Sequence, residues 1–255
     1  ERGGAVFRCK TDTATACQEI PFDTTGNNLK YVQRLGRAIP IEEKSGQWFG
    51  STVKSSGDNG VIVACAPRYV YFSEQQDKQE PVGVCYLAKA STTKYDKYAP
   101  CAKAVDYSDI VNQYHRQGFC QAGISAVLSN DGKRLLIGAP GSWYWQGQLF
   151  SFKTSDGGDV WNSTPEGKPI EDDTYMGYSS AIGEFDGDNS EDYVVGVPKG
   201  EHYQGKIELF NQNLTAIGSI LGEQIGSYFG YSLAVADLNG DRMDDIIVGA
   251  PMYAD

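Results

Sequence analysis

Four segments of the chain end alike. Val61-Ile62-Val63-Ala64-Cys65-Ala66-Pro67, Leu135-Leu136-Ile137-Gly138-Ala139-Pro140, Tyr193-Val194-Val195-Gly196-Val197-Pro198 and Ile246-Ile247-Val248-Gly249-Ala250-Pro251 each pass from an apolar run through a small residue to proline. Each reads as a buried strand and its exit turn, because proline has no N–H to give to a sheet ladder. Upstream of each, a glycine leads another short strand: Phe49-Gly50, Ala122-Gly123, Met176-Gly177 and Phe229-Gly230. The interval from that glycine to the proline is 17, 17, 21 and 21 residues, so two copies carry four extra residues at the hairpin tip. The prolines lie 73, 58 and 53 residues apart, which is room for four strands per unit. Third strands are clearest at Gly147–Phe152 and Gly205–Phe210, and a fourth is expected within Leu214–Leu221. Antiparallel four-stranded units repeating at this interval indicate β-propeller blades. A stacked sandwich would leave the matched glycines and prolines unexplained.

Charge and cysteine usage narrow the class further. Among 255 residues, 33 acidic side chains outweigh 22 basic ones for a net charge of −11. That balance argues against general affinity for nucleic acid or anionic membranes, which requires clustered Lys and Arg. No apolar run approaches the roughly 20 residues of a membrane helix. The chain opens at Glu1 with neither a start methionine nor a signal pattern, so a mature or excised piece is expected. It begins in the tail of one blade and stops after the second strand of another, which predicts three complete blades and two partial ones. The cysteines fall as Cys9/Cys17, Cys65/Cys85 and Cys101/Cys120, without CxxC spacing, and His115 and His202 are the sole histidines. A metal–thiolate centre is therefore a poor fit. Six cysteines allow 15 pairings, of which the three sequence-local pairs are the simplest. Sequons at Asn162 and Asn213 point, with the cysteines, to a secreted environment.

The two longer hairpins read Glu184-Phe185-Asp186-Gly187-Asp188-Asn189-Ser190-Glu191-Asp192 and Asp237-Leu238-Asn239-Gly240-Asp241-Arg242-Met243-Asp244-Asp245. Oxygen-bearing side chains stand at positions 1, 3, 5 and 9 and a backbone carbonyl at 7, the spacing of calcium loops. The first loop would supply Glu184, Asp186, Asp188, the carbonyl of Ser190, and Asp192. The second would supply Asp237, Asn239, Asp241, the carbonyl of Met243, and Asp245. Converging carboxylates repel by about 4 kcal/mol per pair at roughly 4 Å and an effective dielectric of 20. A hard dication removes that cost. Magnesium suits the set less well, because it prefers six ligands in a tight octahedron and keeps its waters. Since a strand follows each loop, the ion would staple a β-hairpin. The other reading is two polar turns that solvate themselves.

Phe-Gly, an acidic loop and Gly-Ala-Pro together make the FG-GAP repeat pattern. Beyond it, Gln47-Trp48-Phe49-Gly50, Pro81-Val82-Gly83-Val84-Cys85-Tyr86-Leu87, Tyr98-Ala99-Pro100-Cys101, Gly141-Ser142-Trp143-Tyr144-Trp145-Gln146-Gly147-Gln148 and Tyr228-Phe229-Gly230-Tyr231 resemble the N-terminal propeller of integrin alpha subunits. The likeness covers essentially the whole chain and is greatest to the group that recognises Arg-Gly-Asp ligands and carries no inserted domain. It implies an all-β, seven-bladed β-propeller of FG-GAP repeats, present here as an excerpt of about four blades. The implied division is 1–30 end of blade 1, 31–90 blade 2, 91–155 blade 3, 156–222 blade 4 and 223–255 start of blade 5. It also supports the three local disulfides.

By the same resemblance, the ligand arginine meets Asp172, the first acid of Asp172-Asp173-Thr174-Tyr175, with Tyr144 against its aliphatic stem and Trp143 and Trp145 beside it. A second acid found in some relatives corresponds here to His115, which predicts a single-acid mode with His115 as a polar rim contact. Tyr178 and Tyr231 would grip a basic residue of a beta subunit, whose own metal takes the ligand aspartate; the equivalent Ser51 and Ile124 leave that ring uneven. These features predict the extracellular part of a cell-surface adhesion receptor, heterodimeric with a beta subunit, holding Ca2+ at two sites and binding extracellular matrix proteins. An enzyme is not expected, since two histidines, no nucleophile elbow and no spare cysteine supply no triad. The alternative is a carbohydrate-binding propeller that uses the Trp-Tyr-Trp loop.

Overall fold

The structure is a computed structural model that describes residues 3–12, 17–33, 36–58, 60–72, 78–89, 95–102 and 115–254. Three four-stranded antiparallel meanders follow one another along the chain. The first comprises Thr52–Ser55, Val61–Ala66, Val84–Lys89 and Tyr95–Tyr98; the second Ser125–Leu128, Arg134–Ala139, Gln148–Lys153 and Trp161–Ser163. The third comprises Ser179–Gly183, Asp192–Val197, Lys206–Phe210 and Ala216–Leu221, and the hairpin Ser232–Ala236/Asp245–Gly249 follows it. In the three four-stranded sheets the proline-terminated run is the second strand, covered largely on both faces, and this explains its unbroken apolar sequence. Leu135, Leu136 and Ile137 are fully buried, each contributing about 1.5–3 kcal/mol by leaving water. The outer strands Tyr95–Tyr98 and Trp161–Ser163 carry the first two sheets past the expected boundaries at residues 90 and 155.

The first strands of successive sheets lie side by side, which is propeller packing and excludes sheets piled face to face. Four isolated parallel bridges mark the joints: Gly4 with Phe49, Gly83 with Ala122, Gly147 with Met176 and Gly205 with Phe229. At these joints backbone meets backbone. A Cβ on Gly147 would come within 2.0 Å of the Met176 carbonyl oxygen, and one on Gly196 within 2.0 Å of that of Gly230. Serine hydroxyls reinforce the joints, Ser125 donating to the Gly177 carbonyl at 2.8 Å and Ser179 to that of Gly230 at 2.7 Å. In the first sheet the position of Gly138 and Gly196 is taken by Cys65, and the Cys65–Cys85 disulfide lies so close that a side chain on Gly123 would strike Cys65 Cβ at 2.5 Å. Cys9–Cys17 and Cys101–Cys120 are also bonded.

A buried charge network anchors the segment before the first sheet. The Glu42 carboxylate, 1% exposed, accepts from the Tyr69 hydroxyl, from Lys44 Nζ at 2.9 Å and from Lys97 Nζ at 3.2 Å. Lys44 also bonds Asp23 at 2.8 Å, and Tyr86 donates to the same carboxylate at 3.0 Å. Burial alone would raise both carboxyls. The Tyr69 and Lys44 hydrogen bonds and the Lys97 charge outweigh it for Glu42, as those of Lys44 and Thr25 do for Asp23, holding each at about 2.

Two outcomes follow from this packing. Gly196→Ala should lower unfolding free energy in urea by at least about 2 kcal/mol, because neither backbone can retreat; Gly26→Ala, in open space, should change it by less than about 1 kcal/mol. The depressed Asp23 and Glu42 stabilise the fold fully above their ordinary values of 3.8 and 4.5. That contribution is lost as pH falls towards 2, because protons then bind the unfolded chain first. Thermal melts between pH 5 and about 2 should show the decline, and Glu42→Gln should flatten it.

Candidate functional site

Each hairpin has two ends, and the chemistry-bearing residues divide between them. At the end where the repeat glycines enter, the residue two places before each glycine is left-handed: Trp48, Gln121, Tyr175 and Tyr228, with φ from 50° to 64°. The residue after the repeat proline caps this turn, through Arg68 N–H to Gln47 O and Lys199 N–H to Thr174 O. Its cation also stacks on the aromatic: Arg68 lies 4.8 Å from the Trp48 ring and Lys199 4.1 Å from that of Tyr175. The sequence reading missed this pairing, although its signal, a basic residue after proline and an aromatic before Phe-Gly or Met-Gly, was present.

The next turn is more strained. Trp143, Tyr144 and Trp145 are consecutively left-handed, as are Glu201, His202 and Tyr203 at the matching place, at a cost of about 1–2 kcal/mol per residue. Bonds from Gly147 N–H to Ser142 O and from Gly205 N–H to Gly200 O close the two turns. This backbone sorts the three aromatics. Trp145 packs on Phe119 at 5.8 Å, Trp143 is half-buried with its indole N–H enclosed, and Tyr144 is exposed at the apex. The turn is bonded to the following loop through Asp173 N–H to Tyr144 O at 3.2 Å and Tyr175 N–H to Trp145 O at 2.9 Å. Asp172 and Tyr144 therefore belong to one surface.

Asp172 is exposed and aimed by Gln146, which sequence reading did not single out. Buried Gln146 donates to Asp172 Oδ1 at 2.7 Å and to Lys168 O at 3.2 Å, and it accepts from Gly167 N–H at 2.9 Å. Beside Asp172, Asp173, Glu201, His202, Lys199 and Lys206 line a cleft of about 270 Å³. Lys206 is held by Glu208 at 2.6 Å and by Glu201 at 3.6 Å, and neither ion pair engages Asp172. His115, expected at the rim, is turned inward: it is buried, with Nδ1 at 2.9 Å from both oxygens of Glu80. A position that reads as polar and exposed in sequence is claimed by a buried acid from a distant strand. Tyr178 and Tyr231 stack at 5.1 Å with Tyr228 alongside. Burial and then the hydrogen bond to Tyr231 push the Tyr178 phenol up to about 12. Asn162 and Asn213 are both exposed.

The acidic loops occupy the opposite hairpin ends, about 17 Å away at roughly 3.4 Å per strand residue. They share one scaffold. In the first, Gly187 N–H bonds Glu184, Asp188 N–H bonds Asp186, and Ser190 N–H bonds Asp188. In the second, Gly240, Asp241 and Met243 bond Asp237, Asn239 and Asp241 in the same pattern. Glu184, Asp186 and Asp188 bring one oxygen each within 4.8 Å of one another. Asp192, 1% exposed, has an enclosed Oδ2 with no hydrogen-bond partner. Burial, then the charges of Asp186, Asp188 and Glu184, push its carboxyl up to about 6 despite a bond from the Phe185 backbone. An orphaned carboxylate oxygen behind three converging carboxylates fits a divalent cation held by Glu184, Asp186, Asp188 and Asp192. In the second loop Leu238 N–H takes Asp245 at 2.9 Å.

Residues 229–255, the last of the repeated hairpins, match the FG-GAP repeat family. The chain is 41% identical over 280 residues to integrin alpha-PS2 of Drosophila melanogaster, 40% over 268 residues to integrin alpha-5 of Xenopus laevis and 40% over 266 residues to integrin alpha-V of Gallus gallus. Each alignment covers 99% of the chain. It belongs to the integrin alpha-subunit family. The chain spans only about a fifth to a quarter of these relatives, at 19%, 25% and 24% of their lengths.

Within this integrin segment, Gln146→Ala removes three hydrogen bonds from a buried site. It should cost about 1–3 kcal/mol and speed amide hydrogen exchange across residues 167–173, with exchange at the Ser232–Gly249 hairpin unchanged.

Proposed function

We propose that this segment is the ligand-reading face of an adhesion receptor, extracellular and carried at the cell surface, that pairs with a beta subunit and binds Arg-Gly-Asp segments of matrix proteins. The observation that carries the reading is Asp172, an exposed carboxylate oriented by buried Gln146 next to the exposed Tyr144. One oxygen is steadied by the Gln146 amide, and the carboxylate keeps lone pairs for the fork of a guanidinium. Tyr144 lies along the stem, with Trp145 and Trp143 bracing the turn from behind rather than touching ligand. His115, bound to Glu80, is left out of the contact set. Tyr178 and Tyr231 form the aromatic patch that receives a cation of the beta subunit. No helix among the described residues is long and apolar enough to cross a membrane.

Calcium supplies positive charge at the far hairpin ends, at both acidic loops in this reading. There Glu184, Asp186, Asp188 and Asp192 with the Ser190 carbonyl, and Asp237, Asn239, Asp241 and Asp245 with the Met243 carbonyl, would hold it. These residues fix the tips of the strands whose other ends carry the ligand loops. The blade numbering by resemblance, with the third sheet as blade 4, and glycans at Asn162 and Asn213 belong to the same proposal.

The test is binding of an Arg-Gly-Asp peptide to the heterodimeric ectodomain. Asp172→Ala should weaken it about 10–100-fold, the loss of a charge-assisted pair, while Asp173→Ala stays within about threefold. Equal effects of the two substitutions, or competition by simple sugars, would remove the reading.

A further inference from the structure

The eighth residue of each acidic loop is an acid that the calcium pattern does not use. Glu191 and Asp244 both leave their own loop and reach the preceding sheet. Glu191 accepts the Asn130 N–H with both oxygens, at 3.1 and 3.2 Å. Asp244 accepts the Glu184 N–H at 2.9 Å, and its own N–H returns to the Glu184 carbonyl at 2.9 Å. Asn130 and Glu184 each stand seven residues after the repeat glycine of their unit, so the contact is one device used twice. Gly183 makes room for it: a Cβ there would meet Asp244 Oδ2 at 2.9 Å and Val235 Cγ1 at 2.7 Å.

The two uses differ in what they grip. Glu191 holds a short turn that contains no cation loop. Asp244 holds the first ligand of the neighbouring loop, and it sits between Met243 and Asp245, both ligands of its own. Ordering of the second loop around an ion therefore fixes the clasp that fixes Glu184. We propose that Asp244 is a positioning residue for the first cation site and couples the two sites, so that filling the second raises the affinity of the first. The coupling is reciprocal by linkage. It rests on the calcium reading above and adds a residue that is not itself a ligand.

The experiment uses the full-length alpha subunit paired with its beta subunit. Phe185→Trp or Leu238→Trp, at position 2 of the first or second loop, adds a Tb3+ sensitiser to that loop, read as the luminescence gained over the parent heterodimer. In the Phe185→Trp background, Asp244→Asn should weaken Tb3+ at the first loop about fivefold, within the usual range of site-to-site coupling. The loss should persist in about 1 M KCl, where the Debye length of roughly 3 Å screens simple removal of a charge. Asp241→Ala, which disables the second site and keeps Asp244, should weaken the first loop in the same way and serves if Asp244→Asn does not fold. An unchanged first-loop affinity in either folded variant, or a loss that vanishes in high salt, overturns the coupling while leaving calcium binding in place. Absence of Tb3+ luminescence at both loops of the otherwise unmodified protein overturns the calcium reading, and the coupling with it.

Discussion

Backbone-to-backbone contact between successive sheets is the constraint on which the rest of this structure depends. At each joint a glycine of one sheet touches a main-chain carbonyl of the next, and the first strands sit close enough for the hydroxyls of Thr52, Ser125 and Ser179 to bridge them. Hydrogen bonds cross the joint in a fixed register, which a purely apolar interface would not impose. The register also places the loop ends. Because Gly147 bridges Met176, the turn before Gly147 and the loop before Met176 have to meet, and that meeting puts Tyr144 beside Asp172.

The two faces of the repeat carry opposite kinds of stress. One stores backbone strain in three consecutive left-handed residues, which the Gln146 bonds and the Phe119–Trp145 contact offset. The other stores electrostatic stress at the Glu184 loop, with three carboxylates converging near a buried fourth, one oxygen of which lacks a hydrogen-bond partner. Strain of the first kind is met by neighbouring protein, so the ligand surface is shaped before anything binds. Stress of the second kind calls for a cation. The strands between them are stiff and buried, and so transmit position from one end to the other.

Much of the site was legible because its residues announce themselves by type and spacing. The acids at positions 1, 3, 5 and 9 did so, as did three adjacent aromatics after Pro140-Gly141. What could not be read was which side of each residue faces where. Trp143 and Tyr144 are neighbours of similar character, yet a left-handed backbone turns one inward and the other out. His115 reads as a surface residue until Glu80, 35 residues earlier, is found against it. Gln146 looks like loop filler, and its role comes wholly from three partners about 20 to 26 residues away.

The amino-acid order by itself determined the repeating unit, the all-β class and the place of the acidic tips. Each of these is a short-range pattern: apolar strand runs, turn chemistry, and ligand spacing within nine residues. Tertiary structure alone decided how units meet and what their meeting exposes. Which outer strand joins which sheet is one such decision, since Tyr95–Tyr98 pairs with Val84–Lys89 and Trp161–Ser163 with Gln148–Lys153. The clasp of Asp244 on Glu184 exists only across a joint, where two residues 60 positions apart are brought together by glycines that leave no side chain between the backbones.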